Sequence, residues 1–320
     1  MSPLVSVVLP VRNGASYILE SASSILRQTY LDWELIIIDN GSTDGTPELC
    51  ESLKDKRIRF AKNPGEKTIA GSLNLGIDMA HGAYIARIDA DDVALPQRLS
   101  KQVAVLESNP GIGLVGSWME TFGQRRTIWR YPVRNPDIQL AMLFGSPFGH
   151  PSVMFRKDWD ADSIGHYDAS FDLAEDFELW TRISRKWECA NLPEELTLYR
   201  THASQSTKLD SEAREFCVHR IRETHHRHLG VTLLPKKPSS KEFRDWWSYL
   251  EAFSSENHLF EGANFRQQKV LQITLIFRRR IKATLRSWQL LDALVRIRNF
   301  LERKLSRHSP PERRGRSQVT

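Results

Sequence analysis

The sequence lacks several features that would assign it to a special class of protein. No apolar run approaches the roughly 20 residues that a helix needs to cross a bilayer, and there is no internal repeat. Cys50, Cys189 and Cys217 are its only cysteines, and they share no metal-ligand spacing. Their odd number and scatter exclude a disulfide framework and favour a reducing, cytosolic compartment. The first residues contain no basic segment, so we expect no signal peptide.

What the sequence does have is an uneven distribution of charge. Its net charge is +6, but residues 1–205 contain 21 Lys and Arg against 27 Asp and Glu, which gives −6. Residues 206–320 contain 24 and 12, which gives +12. An acidic body followed by a basic C-terminal part indicates that the two parts have separate roles.

Short apolar runs alternate with segments of helical periodicity along the acidic part. The runs predict strands at 5–10, 35–39, 57–61, 84–88, 112–116 and 196–200. Helical spacing predicts helices at 18–26, from 46, at 69–82, 96–107 and 172–187, with Ser16 as N-cap of the first. Strands that alternate with helices indicate parallel βαβ units and an α/β fold with a doubly wound sheet. Further helices are expected at 211–229, 240–258 and 270–305.

Three carboxylates follow the fourth strand within four positions, at Asp89, Asp91 and Asp92. Since Asp is disfavoured inside strands, the strand should end here and present the acids at its carboxyl edge, where open α/β sheets bind ligands. Carboxylates this close repel one another unless a cation lies among them, and hard oxygen ligands select Mg²⁺ or Mn²⁺. By spacing alone, a solvated acidic turn fits equally well.

The order of the motifs carries a resemblance. The sequence resembles family 2 glycosyltransferases over roughly residues 4–207, through segments at 5–13, 39–45, 74–77, 86–92, 150–155, 175–180 and 199–202. The resemblance implies a GT-A fold, a Rossmann-like and mostly parallel sheet with helices on both faces. It also implies one nucleotide–sugar site and inversion at the anomeric carbon. We therefore predict a catalytic domain at 1–207, a basic helical region at 208–308 and a disordered tail at 309–320.

The resemblance assigns a divalent metal, Mg²⁺ or Mn²⁺, to the acidic turn. Asp89 and Asp91 match the Asp-X-Asp pair of the family, whose metal neutralises the leaving nucleoside diphosphate. Asp91 is expected to contact the metal, Asp89 the ribose or a metal-bound water, and Asp92 either the metal or its ligands. Arg200 and His202 alternate at a strand end, so they are candidates for a phosphate contact and a further metal ligand. Alternatively, Arg200 pairs with a surface acid and His202 caps a loop.

The resemblance places four further residues on the nucleotide side of the site: Pro10, Arg12, Asp39 and Asn74. Asp39 is expected to accept the N3–H of a uracil-like base, although it can also cap the turn that follows, a duty that Asp44 can share. Arg12 replaces a more usual aromatic and either reaches the nucleotide or lies on the surface. Asn40 stands where a second Asp is usual.

Asp176 matches the general base of the family, and its neighbours match the acceptor side. Removal of a proton from a sugar hydroxyl by a positioned carboxylate accelerates attack by about 10²–10⁴-fold. A first-turn Asp also stabilises a helix through the macrodipole, so the residue type alone does not decide. Glu175 is expected to orient Asp176 or to bind acceptor hydroxyls, and His150 to line the acceptor side or shape a turn.

The leading functional hypothesis is a glycosyltransferase that uses a nucleotide sugar, UDP-linked, and a glycan or lipid-linked glycan acceptor in surface polysaccharide synthesis. A nucleotidyltransferase would need a Gly-rich loop with Lys or Arg after its first strand, and 11–15 is a poor match. A non-catalytic membrane-associated scaffold is disfavoured because Asp39, Asp89, Asp91 and Asp176 are all present. We expect a cytoplasmic location, at the inner face of the cell membrane.

The basic C-terminal part leaves three interpretations. Residues 270–305 predict a helix with Phe277 and Trp288 on an apolar side, next to the cations at 278–280. Such a helix can lie in the surface of an anionic membrane, or pack on the catalytic domain or on a second subunit of a homo-oligomer. Nucleic acid is not expected, since no recognition motif is present. The histidines of 211–229 fit a solvated helix face better than a metal site: His219, His225, His226 and His228.

Deleting residues 270–320 tests the membrane interpretation. Hydrolysis of the nucleotide sugar should survive, because no motif of the sugar site is removed. Cosedimentation with anionic vesicles should fall and should weaken with salt, since each surface Lys or Arg contributes about 1 kcal/mol. Unchanged vesicle binding together with a lower melting temperature or an altered sedimentation mass would instead indicate packing on the body or on a second subunit.

Overall fold

The computed structural model describes residues 4–124, 126–157, 166–171, 173–202 and 211–229. The helices expected at 240–258 and 270–305 and the tail at 309–320 lie outside these ranges, so they stay predictions. Within the ranges, none of the helices is long and apolar enough to cross a membrane.

The first half of the fold is a parallel sheet, as predicted. The strands β1 (Val5–Val11), β2 (Trp33–Asp39), β3 (Ile58–Lys62) and β4 (Tyr84–Arg87) stand in the order β3-β2-β1-β4 and are all parallel. The helices α1 (Ile18–Leu26), α2 (Thr46–Ser52) and α3 (Ile69–Met79) connect them. Every residue of β1 and β2 is buried, which explains their nearly continuous apolar sequence.

The second half continues the same sheet with mixed strand directions. Its elements are β5 (Val93–Ala94), α4 (Arg98–Ser108), β6 (Ile112–Gly123), β7 (Thr127–Trp129), α5 (Asn135–Met142), β8 (Met154–Arg156), α6 (Glu175–Ile183), β9 (Glu188–Thr201) and α7 (Ser211–Leu229). The order beyond β4 is β8-β6-β9-β5, with β7 paired to β6. Only β6 and β9 pair in parallel here. The long β6–β9 pair brings the end of β9 to the turn that follows β4, where Arg200 bonds Asp91 and Asp92.

Alternate residues of the central strands enter two hydrophobic cores, one on each face of the sheet. Val8 of β1 packs in the core that contains α3 and α6, whereas Val7 and Leu9 pack with α1 and α4. This alternation follows from the two-residue period of a strand. Trp180 of α6, fully buried, fills much of the first core. Both faces are therefore covered by helices, as the doubly wound prediction requires.

Two helix starts differ from the prediction. The N-cap of α1 is Tyr17, which makes no side-chain capping bond, so Ser16 is not the cap. The helix predicted at 172–187 spans only Glu175–Ile183. Leu173 has φ of 68°, in the left-handed region that interrupts a right-handed helix. The interruption sets the start of α6 and so puts Asp176 in its first turn.

The interpretation of the α7 histidines as a solvated face is wrong for two of them. His225 and His226 are buried, and Nε2 of His226 donates to the carbonyl of Leu143 at 2.9 Å. Cys217 and Ile221 join the core with α6, and α7 belongs to the same compact unit as the sheet. The solvated face was expected from the polar and charged composition of α7. Composition does not report which face of a helix is covered.

His225 should make the protein sensitive to acid. Burial, with Arg185 nearby, lowers its pKa to about 3, against about 6.5 in an unfolded chain. Between these two pKa values the imidazole of His225 is protonated in the unfolded chain but stays neutral in the folded chain. The free energy of unfolding therefore falls as the pH falls. From pH 7.5 to pH 5, wild type should lose about 2 kcal/mol more than His225→Leu in urea titrations. The exposed His228→Leu serves as control and should behave as wild type. Equal losses in His225→Leu and wild type would contradict the assignment.

Candidate active site

The three acids predicted at the end of β4 lie together. Ligand oxygens of Asp89, Asp91 and Asp92 are all within 4.8 Å of one another. Asp92 is fully buried, and Asp89 and Asp91 are partly buried. The turn is fixed by the bond from the N–H of Asp92 to the carbonyl of Asp89 at 3.2 Å. This is a concentrated negative charge at the carboxyl edge of the sheet rather than a solvated turn.

Asp92 is the most confined of these carboxylates. Its Oδ1 accepts the backbone N–H of Arg200 at 2.8 Å, whereas its buried Oδ2 has no hydrogen-bond partner among the residues that the structure describes. Burial, followed by the charges of Asp89 and Asp91, raises its pKa well above the ordinary value. An oxygen ligand placed in this way fits a hard divalent cation.

Asp89 is held by an arginine that the sequence motif had not singled out. Both terminal nitrogens of Arg87 donate to the carboxylate of Asp89, one of them at 2.5 Å to Oδ2. Arg87 is 2% exposed. Burial raises the pKa of Asp89, the charge of Arg87 opposes the rise, and the charges of Asp91 and Asp176 add to it. The sequence signal that could have identified Arg87 is its position as a cation in an otherwise apolar strand.

The end of β9 braces the acidic turn. Nε2 of His202 lies 2.8 Å from Oδ2 of Asp91, a hydrogen-bond distance. Arg200 stacks between the rings of Tyr17 at 4.6 Å and Phe122 at 4.3 Å, and its Nε donates to the carbonyl of Asp91 at 2.8 Å. Its NH2 pairs with Glu20. Arg200 therefore supports the turn in this structure, and the phosphate contact expected from the sequence stays a prediction.

Asp39 ends β2 at the carboxyl edge of the parallel strands. Its carboxylate is buried and accepts the backbone N–H of Ser42, at 3.1 and 3.3 Å to its two oxygens. Asp44 makes the bonds that start α2, to the N–H and hydroxyl of Thr46. Asp39 therefore caps the first part of the turn, at Ser42, and Asp44 caps the start of α2, at Thr46.

The flanking candidates take different positions. Pro10 is buried in β1 beside the end of β2, whereas the side chain of Arg12 is exposed. The amide of Asn40 donates to the carbonyls of Lys67 and Thr68 at 3.1 and 3.3 Å and accepts from Asn63 at 3.1 Å. An aspartate has no such donor, which explains in physical terms why Asn occupies position 40.

Asn74 holds a neighbouring segment in place. Its Nδ2 donates to the carbonyl of Tyr167 at 2.9 Å, and its Oδ1 accepts the N–H of Tyr167 at 2.8 Å. The hydroxyl of Tyr167 then lies 3.1 Å from Nε2 of His150. Both ends of the Asn74 amide are used in this way, so its role here is to fix residue 167 beside the site.

Asp176 occupies the first turn of α6, partly buried. Burial raises its pKa, which the N–H of Phe177 and the charges of Arg214 and Arg87 oppose. Next to it, Glu175 is buried, with Oε1 at 3.7 Å from Nδ1 of His150. A carboxylate with a raised pKa is suited to accept a proton.

His150 lies in the packing beneath the site rather than on an open acceptor surface. Its side chain is 12% exposed, and its ring packs edge-on against Trp180 with centroids 5.9 Å apart. Burial, helped by the charge of Arg87, lowers its pKa well below the ordinary value, which keeps the ring neutral. A neutral imidazole can support Glu175 and Tyr167 without adding positive charge.

Sequence comparisons identify the family. The profile described as Glycosyl transferase family 2 matches residues 6–163. A Haemophilus influenzae protein named an uncharacterized glycosyltransferase is 36% identical over 220 residues, which cover 65% of this chain and 68% of that protein. The chain belongs to glycosyl transferase family 2. It is also 33% identical to the Escherichia coli O-antigen biosynthesis glycosyltransferase WbnJ, over 69% of this chain and 88% of the relative.

A solved structure supports the fold of this glycosyltransferase. The crystal structure of residues 1–349 of TarS from S. aureus, in complex with UDP-GlcNAc, aligns with a TM-score of 0.60. The alignment covers 80% of this chain and 73% of that one, at 15% identity. At this identity the likeness shows the fold alone, and it confirms the GT-A prediction.

Proposed function

We propose that this glycosyltransferase moves a sugar from a UDP-linked donor to a hydroxyl of a glycan or lipid-linked glycan, using a divalent metal and inverting the anomeric centre. One observation carries the proposal. The oxygens of Asp89, Asp91 and Asp92 lie within 4.8 Å of one another at the carboxyl edge of the sheet, and Asp176 is near enough for its charge to add to the raised pKa of Asp89. A cation site for the leaving diphosphate and a base for the incoming hydroxyl are the two elements that direct displacement needs.

The residues present fit a divalent metal, Mg²⁺ or Mn²⁺. Asp91 and Asp92 supply oxygens, of which Oδ2 of Asp92 is buried without a partner among the described residues, and His202 lies beside Asp91. When bound, the metal supplies charge that stabilises the leaving nucleoside diphosphate. Asp89 stays in the Arg87 pair and completes the negative field of the site.

Asp176 acts as the general base in this proposal, and Glu175 and His150 position it. Asp176 stands in the first turn of α6, the neutral His150 packs on Trp180, and Glu175 lies 3.7 Å from Nδ1 of His150. A single displacement by a hydroxyl deprotonated on the opposite side from the leaving group inverts the anomeric carbon. Arg200, stacked on Tyr17, bonds the carbonyl of Asp91 and so supports the acidic turn.

The assignment of donor and acceptor has separate support. Asp39 and Pro10 provide the strand edge for a uracil-like base, and TarS, of the same fold, was crystallised with UDP-GlcNAc. WbnJ is named for O-antigen biosynthesis, which supports an acceptor in surface polysaccharide synthesis at the inner face of the cell membrane.

The loop after β1 argues against the nucleotidyltransferase alternative. A triphosphate cradle needs free backbone N–H groups. Here the N–H of Asn13 donates to Ser42, that of Gly14 to Thr46 and that of Ala15 to Asp44, at 2.8, 2.9 and 3.1 Å. These donors bind the neighbouring turn instead.

Asp91→Asn tests the metal. The substitution should abolish Mn²⁺-dependent stabilisation by UDP in thermal shift and lower turnover by more than about 100-fold, because the charge that binds the cation is lost. The fold should remain, since Asp91 is no part of either core. Asp55→Asn, which removes a partly exposed acid paired with Arg57, should leave both readouts unchanged. Full activity of Asp91→Asn, or of wild type in chelator, would remove the metal from the proposal.

Asp176→Asn tests the base. Turnover should fall by about 10²-fold or more with little change in the affinity for UDP, because base catalysis acts on the transition state. Glu178→Gln is the matched control on the same helix, since that acid pairs with Arg182. If Asp176→Asn loses UDP binding but keeps turnover at saturating donor, Asp176 is a binding residue.

A further inference from the structure

Arg87 is a buried cation at the centre of the site that the proposed chemistry does not use. It is 2% exposed and belongs to β4, which pairs with β1 on one side and β8 on the other. A second buried arginine, Arg98, donates to the carbonyls of Arg87 and Val153 at 2.6 and 3.0 Å. Two arginines buried under one strand end are costly unless they are paired or hydrogen-bonded.

The guanidinium group of Arg87 is hydrogen-bonded to one acid, Asp89. Its two terminal nitrogens bond the two oxygens of Asp89, the fork geometry that fixes a carboxylate in orientation as well as position. Among the residues that the structure describes, Asp91 and Asp92 have no comparable side-chain pairing with a guanidinium group: Asp91 faces His202, and Asp92 accepts one backbone N–H. The three neighbouring acids are therefore unequal, because one is neutralised from within the fold.

We propose that Arg87 is a positioning residue that acts as an internal counter-ion. Its ion pair with Asp89 keeps that carboxylate from coordinating the metal fully. It also reduces the net negative charge of the three acids around the metal. The protein alone then binds the cation weakly, and tight binding requires the diphosphate of the donor. The inference rests on the proposed function, in that the acidic turn must bind a divalent metal.

This role predicts that a variant without the arginine binds the metal more tightly but turns over more slowly. Arg87→Met removes the charge and the fork while the stem of the side chain remains. Mn²⁺ alone should then bind the full-length protein about tenfold more tightly or better, because a cation has left and Asp89 can turn to the metal. Turnover should fall nevertheless, since Asp89 is no longer oriented. A purely structural arginine would lower metal affinity and activity together.

The test measures Mn²⁺ binding to the full-length protein by electron paramagnetic resonance of the free ion, without nucleotide, beside turnover and melting temperature. Arg87→Lys provides a second variant that keeps the charge but bonds only one oxygen at a time. It should bind Mn²⁺ several-fold more tightly than wild type, with reduced turnover. In Arg87→Met, the melting temperature should fall in chelator and recover with Mn²⁺, because the freed acids repel until a cation joins them.

The outcomes separate the inference from the function on which it rests. Unchanged or weaker Mn²⁺ binding in both variants, while wild type binds Mn²⁺ and needs it for turnover, overturns the counter-ion role and leaves the proposed function intact. Wild type that binds no Mn²⁺ and turns over in chelator overturns both. Should Arg87→Met not fold, the Mn²⁺ affinity and turnover of Arg87→Lys still decide, and values equal to those of wild type would refute the inference.

Discussion

The crowding of negative charge at the end of β4 is the constraint on which the site depends. Asp89, Asp91 and Asp92 share a small, partly buried volume, where repulsion is stronger than in water. The surrounding structure answers it with opposite charge and fixed dipoles. Arg87 supports the turn from below, and Arg200 and His202 support it from the side. These contacts offset part of the repulsion and fix the positions of the three acids before any cation or substrate binds.

The second half of the sheet places Arg200 and His202 next to the acidic turn. β9 runs beside β6 along most of its length, and this pairing delivers Arg200 and His202 from more than 100 positions away in the chain. The stacking of Arg200 on Tyr17 joins the end of β9 to the start of α1. A site that looks local in sequence thus depends on contacts between the two halves of the fold.

Sequence reasoning predicted the parallel half of the fold and the acidic turn, because apolar strands and short motifs record local constraints. It did not identify Arg87, Tyr17 or Tyr167, whose importance arises from contacts that no spacing rule reports. It expected a solvated position for His225, which is buried, since residue type indicates chemistry but not burial. Ligand roles were assigned by resemblance, so these roles stay predictions where contacts alone do not decide them.

Asn40 shows how one unusual residue ties two parts of the molecule together. Its amide spans from the end of β2 to the carbonyls that precede α3, and Asn63 completes the link. Positions 40 and 63 therefore behave as a single hydrogen-bonding unit, in which a change at one alters what the other must donate or accept. During divergence of the family, these two sites should vary in concert, and a swap at either one alone should be accepted less readily than a paired exchange.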